Sequence, residues 1–383
     1  MRYRPPAITL MLFIMAFSLG TTSAPVESIH RDAAFPHHHT TKTSHAILEN
    51  INQNSPDVIG PDTYPADVNP LTGLTVADPS ILERSPVLVK ISNAPPLVRP
   101  QAGIGAADLV FEHYAEGGLT RFSAIYYGQG PDRVGSIRSA RLIDYELMPM
   151  YDGLLAYSGA SIGVEDYLNM SEFADRLYKG VLYGRPYYWR DDSIPVPHNM
   201  FASVPALWDL AASEGIQRTR DLHGMAFAES PPAGSSGTAE VIDIRYRATR
   251  ARWEYNADSG LYQRFSDGQG HYDANTLEQV TAANVVVIYA SHDFTDIVES
   301  EWQGSISYSI EIQLWFEGDA VLFRDGQRYD GRWLRPTRES LMTFQTAEGE
   351  TLYLKPGNTW FQVVRLPEQQ ESQEEWILVD EES

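Results

Sequence analysis

Cysteine is absent from all 383 residues. That excludes disulfides, thiolate zinc sites, iron–sulfur ligation and a cysteine nucleophile. Basic residues are scarce too: 29 Lys+Arg face 51 Asp+Glu, a net charge of −22. Non-specific nucleic-acid affinity comes mainly from phosphate neutralisation, so no nucleic-acid partner is expected. A local basic site remains compatible with that balance. The longest apolar run, Ala7–Leu19, falls short of the roughly 20 residues a membrane helix needs. There is no Walker loop, G-x-G-x-x-G, H-E-x-x-H or EF-hand loop, so no cofactor and no metal are assigned.

What is present has a globular balance, with 43% hydrophobic and 21% charged residues. At roughly 150 residues per domain the length suits two to three domains. Arg2 and Arg4 precede the apolar run, and the small residues Gly20–Ala24 follow it. This is the layout of a secretory signal peptide over residues 1–24, with an uncleaved N-terminal anchor as the alternative. The mature chain is expected to be secreted, outside the cytoplasmic membrane and without an integral span. Residues 25–68 are polar and aperiodic and read as a disordered linker. They contain His30, His37, His38, His39 and His45, a tract that can take a metal only where something fixes the imidazoles.

Residues 69–231 read as a mixed-sheet α/β layer domain. Its expected strands are Val87–Ser92, Asp108–Ala115, Arg121–Tyr127 and Leu154–Tyr157. Its expected helices are Pro100–Ala107, Ser139–Met150, Val164–Arg176 and Val204–Gly215, with Ser139 and Ser203 as caps. The Pro- and Gly-rich stretch 232–237 reads as a linker. Residues 238–367 then read as a mostly antiparallel β domain, giving an α+β chain overall. Its expected strands are Ala239–Tyr246, Arg252–Asn256, Leu261–Phe265, Val285–Ala290, Ser307–Phe316, Ala320–Arg324, Thr351–Leu354 and Trp360–Leu366. Residues 368–383 form an acidic tail, of which Trp376–Val379 can dock back.

The densest polar cluster lies between Asn93 and Ser161. Gly117 and Gly118 allow a turn that sets Glu116 across from Arg121. Glu112 and Glu116 on one strand would stand roughly 13 Å apart. That exceeds the about 5–9.5 Å of a glycosidase pair unless the strand bends. Asp144 is a further carboxylate that the fold can bring near. Arg138 and Arg141, three residues apart, would both sit at a helix N-terminus if the helix began at Ser139. Guanidiniums there suit carboxylate or phosphate oxygens. Tyr157, Ser158 and Ser161 follow a strand, but without the G-x-S-x-G elbow of a serine nucleophile. A last cluster holds Tyr183, Tyr187, Tyr188, Trp189, Arg190, His198 and Asn199. Its aromatic planes can stack on sugars, and His198 is placed for proton transfer.

Several of these segments resemble the YerB-like family of bacterial exported proteins. They are Asn69-Pro-Leu-Thr-Gly73, Arg99-Pro-Gln-Ala-Gly103, Glu116-Gly-Gly-Leu-Thr-Arg121, Val134-Gly-Ser-Ile-Arg138-Ser-Ala-Arg141 and Pro197-His198-Asn199. In the second half Trp333 and Pro356-Gly-Asn-Thr-Trp360 resemble the family's β region. The resemblance spans about residues 69–366 and implies an α/β part followed by a β part, with a lipoprotein or signal-peptide N-terminus. Two departures stand out: no lipobox cysteine is present, and Ser136 stands where the family often has proline. The resemblance carries no activity over to this chain.

The residues therefore support a secreted cell-envelope protein that binds an anionic or carbohydrate envelope ligand. The expected cleft holds Arg121, Arg138, Arg141, Asp144, Tyr157, Ser158, Arg190 and Asn199. One alternative is an envelope glycan hydrolase or lyase using Glu112 or Glu116 with His198 as acid and base. The other is a protein-interaction scaffold built on the β domain and the tail.

Overall fold

In the computed structural model the described residues are 57–217, 220–302, 304–371 and 374–380, without the Trp302 side chain. The expected signal peptide, the histidine tract and the first part of the linker lie outside them. Runs rich in β-branched and aromatic residues form the strands β1 (Val87–Ser92), β2 (Leu109–Tyr114), β3 (Thr120–Tyr126), β4 (Leu154–Tyr157) and β5 (Leu177–Lys179). Past residue 240 come β6 (Val241–Tyr246), β7 (Thr249–Asn256) and β8 (Leu261–Ser266). Then follow β9 (Asn284–Trp302), β10 (Ser305–Gln313), β11 (Phe316–Arg324), β12 (Gln327–Arg335), β13 (Thr359–Arg365) and β14 (Trp376–Val379).

Strands from both halves of the chain share one central sheet, in the order β12-β11-β9-β13-β2-β3-β1-β4-β5. The junction is β13, which runs parallel to β9 on one side and to β2 on the other. The sheet is mixed: β3 is antiparallel to both its neighbours, while β1, β4 and β5 are parallel. A second, antiparallel sheet runs β14-β6-β7-β8. The protein is mostly β, with several sheets. The described helices are α1 (Ile143–Tyr151), α2 (Ile162–Asn169) and α3 (Val204–Ser213).

Alternation along the strands makes two cores, one on each face of the central sheet. Val87, Val89 and Ile91 point into a core with α3 and the second sheet. There Trp360 packs edge-on against Trp253 and Phe122, with ring centroids 5.2 and 5.4 Å apart. Leu88, Leu109 and Phe111 point the other way, into a core with α1 and α2. Every residue of β1, β2 and β3 is buried. This face holds the polar residues discussed below.

Several expected boundaries shift for local reasons. Ser203 does cap α3, its hydroxyl accepting from the Ala206 amide. Ser139 caps nothing: α1 starts at Ile143, so Arg138 and Arg141 precede the helix. Of Pro100–Ala107 only the 3-10 turn Ile104–Ala106 is helical, entered through a left-handed Gly103. α2 ends at Asn169, and only a 3-10 turn follows at Ala174–Arg176. Thr351 and Leu354 make single bridges and no strand. Within the expected linker, Val58–Ile59 pairs with Phe227–Ala228. The tail docks back through β14, which adds to the edge of β6.

Candidate functional site

The register of β1 on β3 sets Lys90 opposite Ser123, and that of β2 on β3 sets His113 opposite Arg121. All four lie on the α1 face of the sheet. Asp144, in the first turn of α1, meets them there. The Lys90 ammonium lies 2.8 Å from Asp144 Oδ1, 2.5 Å from Ser123 Oγ and 3.0 Å from His113 Nε2. Asp144 Oδ2 accepts the Arg141 amide at 2.8 Å. Lys90, His113, Ser123 and Asp144 have no exposed surface. Burial lowers Lys90 to about 8, although Asp144 pulls the other way. Burial, and then the adjacent ammonium, hold His113 well below its usual value, so its imidazole is neutral. This closed network fixes the chain entering α1 and, with it, Arg141.

The arginines stand at the rim of that network. Arg141 grips Glu116 with two nitrogens, its Nε 2.8 Å from Oε2. Arg121 reaches the same carboxylate at 3.3 Å and donates to the Ser139 carbonyl at 2.9 Å. Burial pushes Glu116 upward, but Arg121 and Arg141 outweigh it and hold the carboxyl at about 2. Burial and the neighbouring Arg141 lower Arg121 to about 9, still charged at neutral pH. Glu299, from β9, adds a second carboxylate 3.7 Å from Arg141 Nε. Arg121 and Arg141 thus face two carboxylates, Glu116 and Glu299, in a chain of net charge −22.

Arg138 differs from its two neighbours. Among the described residues it pairs with no carboxylate; it donates to the Pro197 carbonyl at 3.5 Å, and its buried Nε has no partner there. Its backbone carbonyl accepts from Ser158, and Ala140 donates to Gly159, so the segment 138–140 lies alongside 158–159. Arg138 acts on His198, whose buried Nδ1 has no hydrogen-bond partner among the described residues, and Ser161, two residues past Gly159, likewise has a buried Oγ without one. Ser161 precedes α2 without capping it. Burial and then Arg138 lower His198, which favours the neutral imidazole.

The remaining candidates fall elsewhere or are committed. Glu112 points to the opposite face of the sheet. It is wholly buried, 2.7 Å from Arg264 and hydrogen-bonded by Thr120 and Asn93. That environment leaves it no solvent path for acid–base work with His198. Tyr157 donates to Glu165 at 3.0 Å, and Glu165 also pairs with Lys179 at 3.1 Å. Arg190 donates to buried Asn199 at 2.7 Å, which ties the two ends of the loop 190–199 together. Trp189 stacks on Phe201 with Arg185 over its ring, 4.8 Å from the centroid.

Sequence reasoning missed Lys90, His113, Ser123 and Glu299. A lysine inside the apolar run VLVKIS was the available signal, because a lysine is almost never fully buried unless paired. Nothing local marks Glu299, which arrives from a strand far along the chain.

Residues 71–217 match the family model described as "Protein of unknown function (DUF3048) N-terminal domain", and residues 242–361 match the corresponding C-terminal domain. "Putative lipoprotein YerB" of Bacillus subtilis (strain 168) is 31% identical over 307 residues, covering 79% of this chain and 88% of that protein. The crystal structure of the YerB protein from Bacillus subtilis matches the fold with a TM-score of 0.66 at 26% identity. It covers 81% of this chain and 99% of that one.

Proposed function

The chain belongs to the YerB-like DUF3048 family, and from that footing we propose that it is an extracytoplasmic envelope protein that binds an oxyanion. The oxyanion is a phosphate or carboxylate group of an envelope polymer or glycan. It sits at Arg138, between Arg141, Ser158, Ser161 and His198. The relative named a lipoprotein and the signal-like N-terminal sequence support that location. No helix among the described residues is long and apolar enough to cross a membrane.

The observation that carries the binding reading is the state of Arg138. A half-buried guanidinium normally finds a carboxylate, because desolvating a charge without a partner is costly. Here the acid is missing, while Nε of Arg138, Nδ1 of His198 and Oγ of Ser161 are all unpaired. An oxyanion between them accepts from each: a guanidinium fork, an imidazole N–H and a hydroxyl. The sealed position of Glu112 weighs against the hydrolase alternative.

The test is a thermal-shift and calorimetric screen of the chain lacking residues 1–24. Probes are inorganic phosphate, glycerol phosphate, uronic acids and neutral sugars, with Arg138→Gln alongside. A probe at 100 times its dissociation constant stabilises by about 2.7 kcal/mol. The expected result is a shift with an anionic probe that Arg138→Gln abolishes. An equal shift in Arg138→Gln, or shifts with neutral sugars alone, would overturn the reading.

A further inference from the structure

β9 continues past Ala290, the last residue it pairs with β13. From Ser291 to Trp302 its only ladder among the described residues is with β10. This outer hairpin lies across the α1 face. Ile310 packs on the core beneath it and Ile312 belongs to that core. Ile297 presses on α2 at Gly163, where a Cβ would come within 2.6 Å of the isoleucine Cγ2. Between them Glu299 reaches inward, 3% exposed, 3.7 Å from Arg141 Nε and held by Ser309 Oγ at 2.5 Å. A small recess remains under the hairpin, lined by Glu116, Arg141, Glu299, Tyr308 and Ser309.

We propose that this hairpin is a strap that closes over the oxyanion site. Glu299 is its built-in competitor, engaging Arg141 at the edge of the site, the arginine that an incoming oxyanion shares with Arg138 once the strap lifts. The inference rests on the oxyanion reading given above. Its first support is charge. With Glu299 in place the arginines face two carboxylates, and a third anion is repelled. With Glu299 withdrawn, Arg121 and Arg141 face Glu116 alone, and the Arg138 guanidinium beside them has no carboxylate among the described residues.

The second support is mechanical. The hairpin's ladder is interrupted by register shifts between Phe294 and Val298 and between Val298 and Ser300. Such irregularities bend a strand and break its pairing locally. At the other end, Phe316 turns the chain from β10 into β11 with φ of 64°. A bulky residue at positive φ is a true outlier, and strain of this kind gathers at switch regions. The hairpin leaves Phe294, Val298 and Ile306 62%, 47% and 45% exposed, so much of its apolar surface is not packed against the body of the protein.

The absence of native cysteine makes the test clean. An ideal Cβ on residue 163 lies 3.4 Å from Ile297 Cβ, close to the separation of about 3.5–4.5 Å found in disulfides. The double variant Gly163→Cys/Ile297→Cys therefore staples the strap to α2 when oxidised and frees it when reduced. Inorganic phosphate is titrated into both forms of the full exported chain, into Arg138→Gln and into Glu299→Gln. The expected result is phosphate binding at least tenfold weaker in the oxidised form, with wild-type affinity restored on reduction. Glu299→Gln, which changes one atom and keeps the fold, should bind phosphate several-fold more tightly than wild type. Equal affinity in oxidised and reduced forms overturns the strap while leaving the oxyanion site standing. Phosphate that binds neither the reduced form nor wild type overturns both. Should the disulfide fail to form, Glu299→Gln decides alone, and unchanged affinity overturns the proposal.

Discussion

The Arg264 guanidinium lies 2.7 Å from the Glu112 carboxylate, and neither side chain has any exposed surface. The pair joins β8 of the second sheet to β2 of the central one. Around it Arg264 contacts His271 Nδ1 at 2.6 Å, and His271 Nε2 contacts Gln101 at 2.6 Å. Burial and the adjacent guanidinium hold His271 well below its usual value, so the charge stays on arginine. Two ions can stay out of water here because they pair with each other, Thr120 and Asn93 also donate to Glu112, and the rings of Phe122, Trp253 and Trp360 surround the guanidinium.

Removing one member should therefore be costly. Arg264→Ala leaves Glu112 buried without its cation, and a loss of about 3–5 kcal/mol is expected. Urea denaturation measures it. The double variant Arg264→Met/Glu112→Gln should recover part of that loss. If it is no more stable than the single variant, the ion pair is not what Arg264 contributes.

The same logic applies on the other face at Lys90. Lys90→Met strands the Asp144 carboxylate among Ser123 and the Arg141 amide. We expect this variant to be less stable than Lys90→Met/Asp144→Asn, although the latter carries more changes. Chemical denaturation of the two side by side gives the answer, and the reverse order refutes it.

Glu116 sets an acid limb. Its folded value of about 2 lies below its ordinary 4.5 because two arginines outweigh burial. A lowered carboxyl contributes stability that is fully present above pH 4.5 and is lost as pH falls from there towards 2. The contribution is at most about 3 kcal/mol. Melting curves from pH 6 to pH 2.5 should fall steeply for wild type and less steeply for Glu116→Gln. Parallel curves would show that the carboxylate is not held by Arg121 and Arg141.

The acidic end of the chain is structural. β14 pairs with β6, and Glu375 is buried against Arg365 at 3.4 Å while accepting from the Tyr114 hydroxyl. Truncation after Leu366 should lower the melting temperature by several degrees and promote self-association, because it bares the β6 edge. A truncated chain that melts like wild type and stays monodisperse would contradict this.

Much of the architecture is written locally. The runs VLVKIS and LVFEHY specify strands because β-branched and aromatic residues fit a pleated, buried surface. Ser203 specifies where α3 begins because its hydroxyl satisfies an otherwise orphaned amide. The Glu116 to Arg121 pairing also follows from local turn chemistry, since Gly117 and Gly118 adopt the positive φ the turn requires.

What the sequence could not settle is everything that depends on distant strands meeting. That β13 lies between β9 and β2, and so merges both halves into one sheet, follows from long-range pairing with no local signature. Glu112 and Glu116 look equivalent in sequence. Tertiary structure sends one to Arg264 in a dry core and the other to the arginines at the rim. Arg138, Arg141 and Glu299 acquire their roles in the same way. A side chain's charge is fixed by its chemistry, but its partner and its access to water are fixed only by the elements that pack around it.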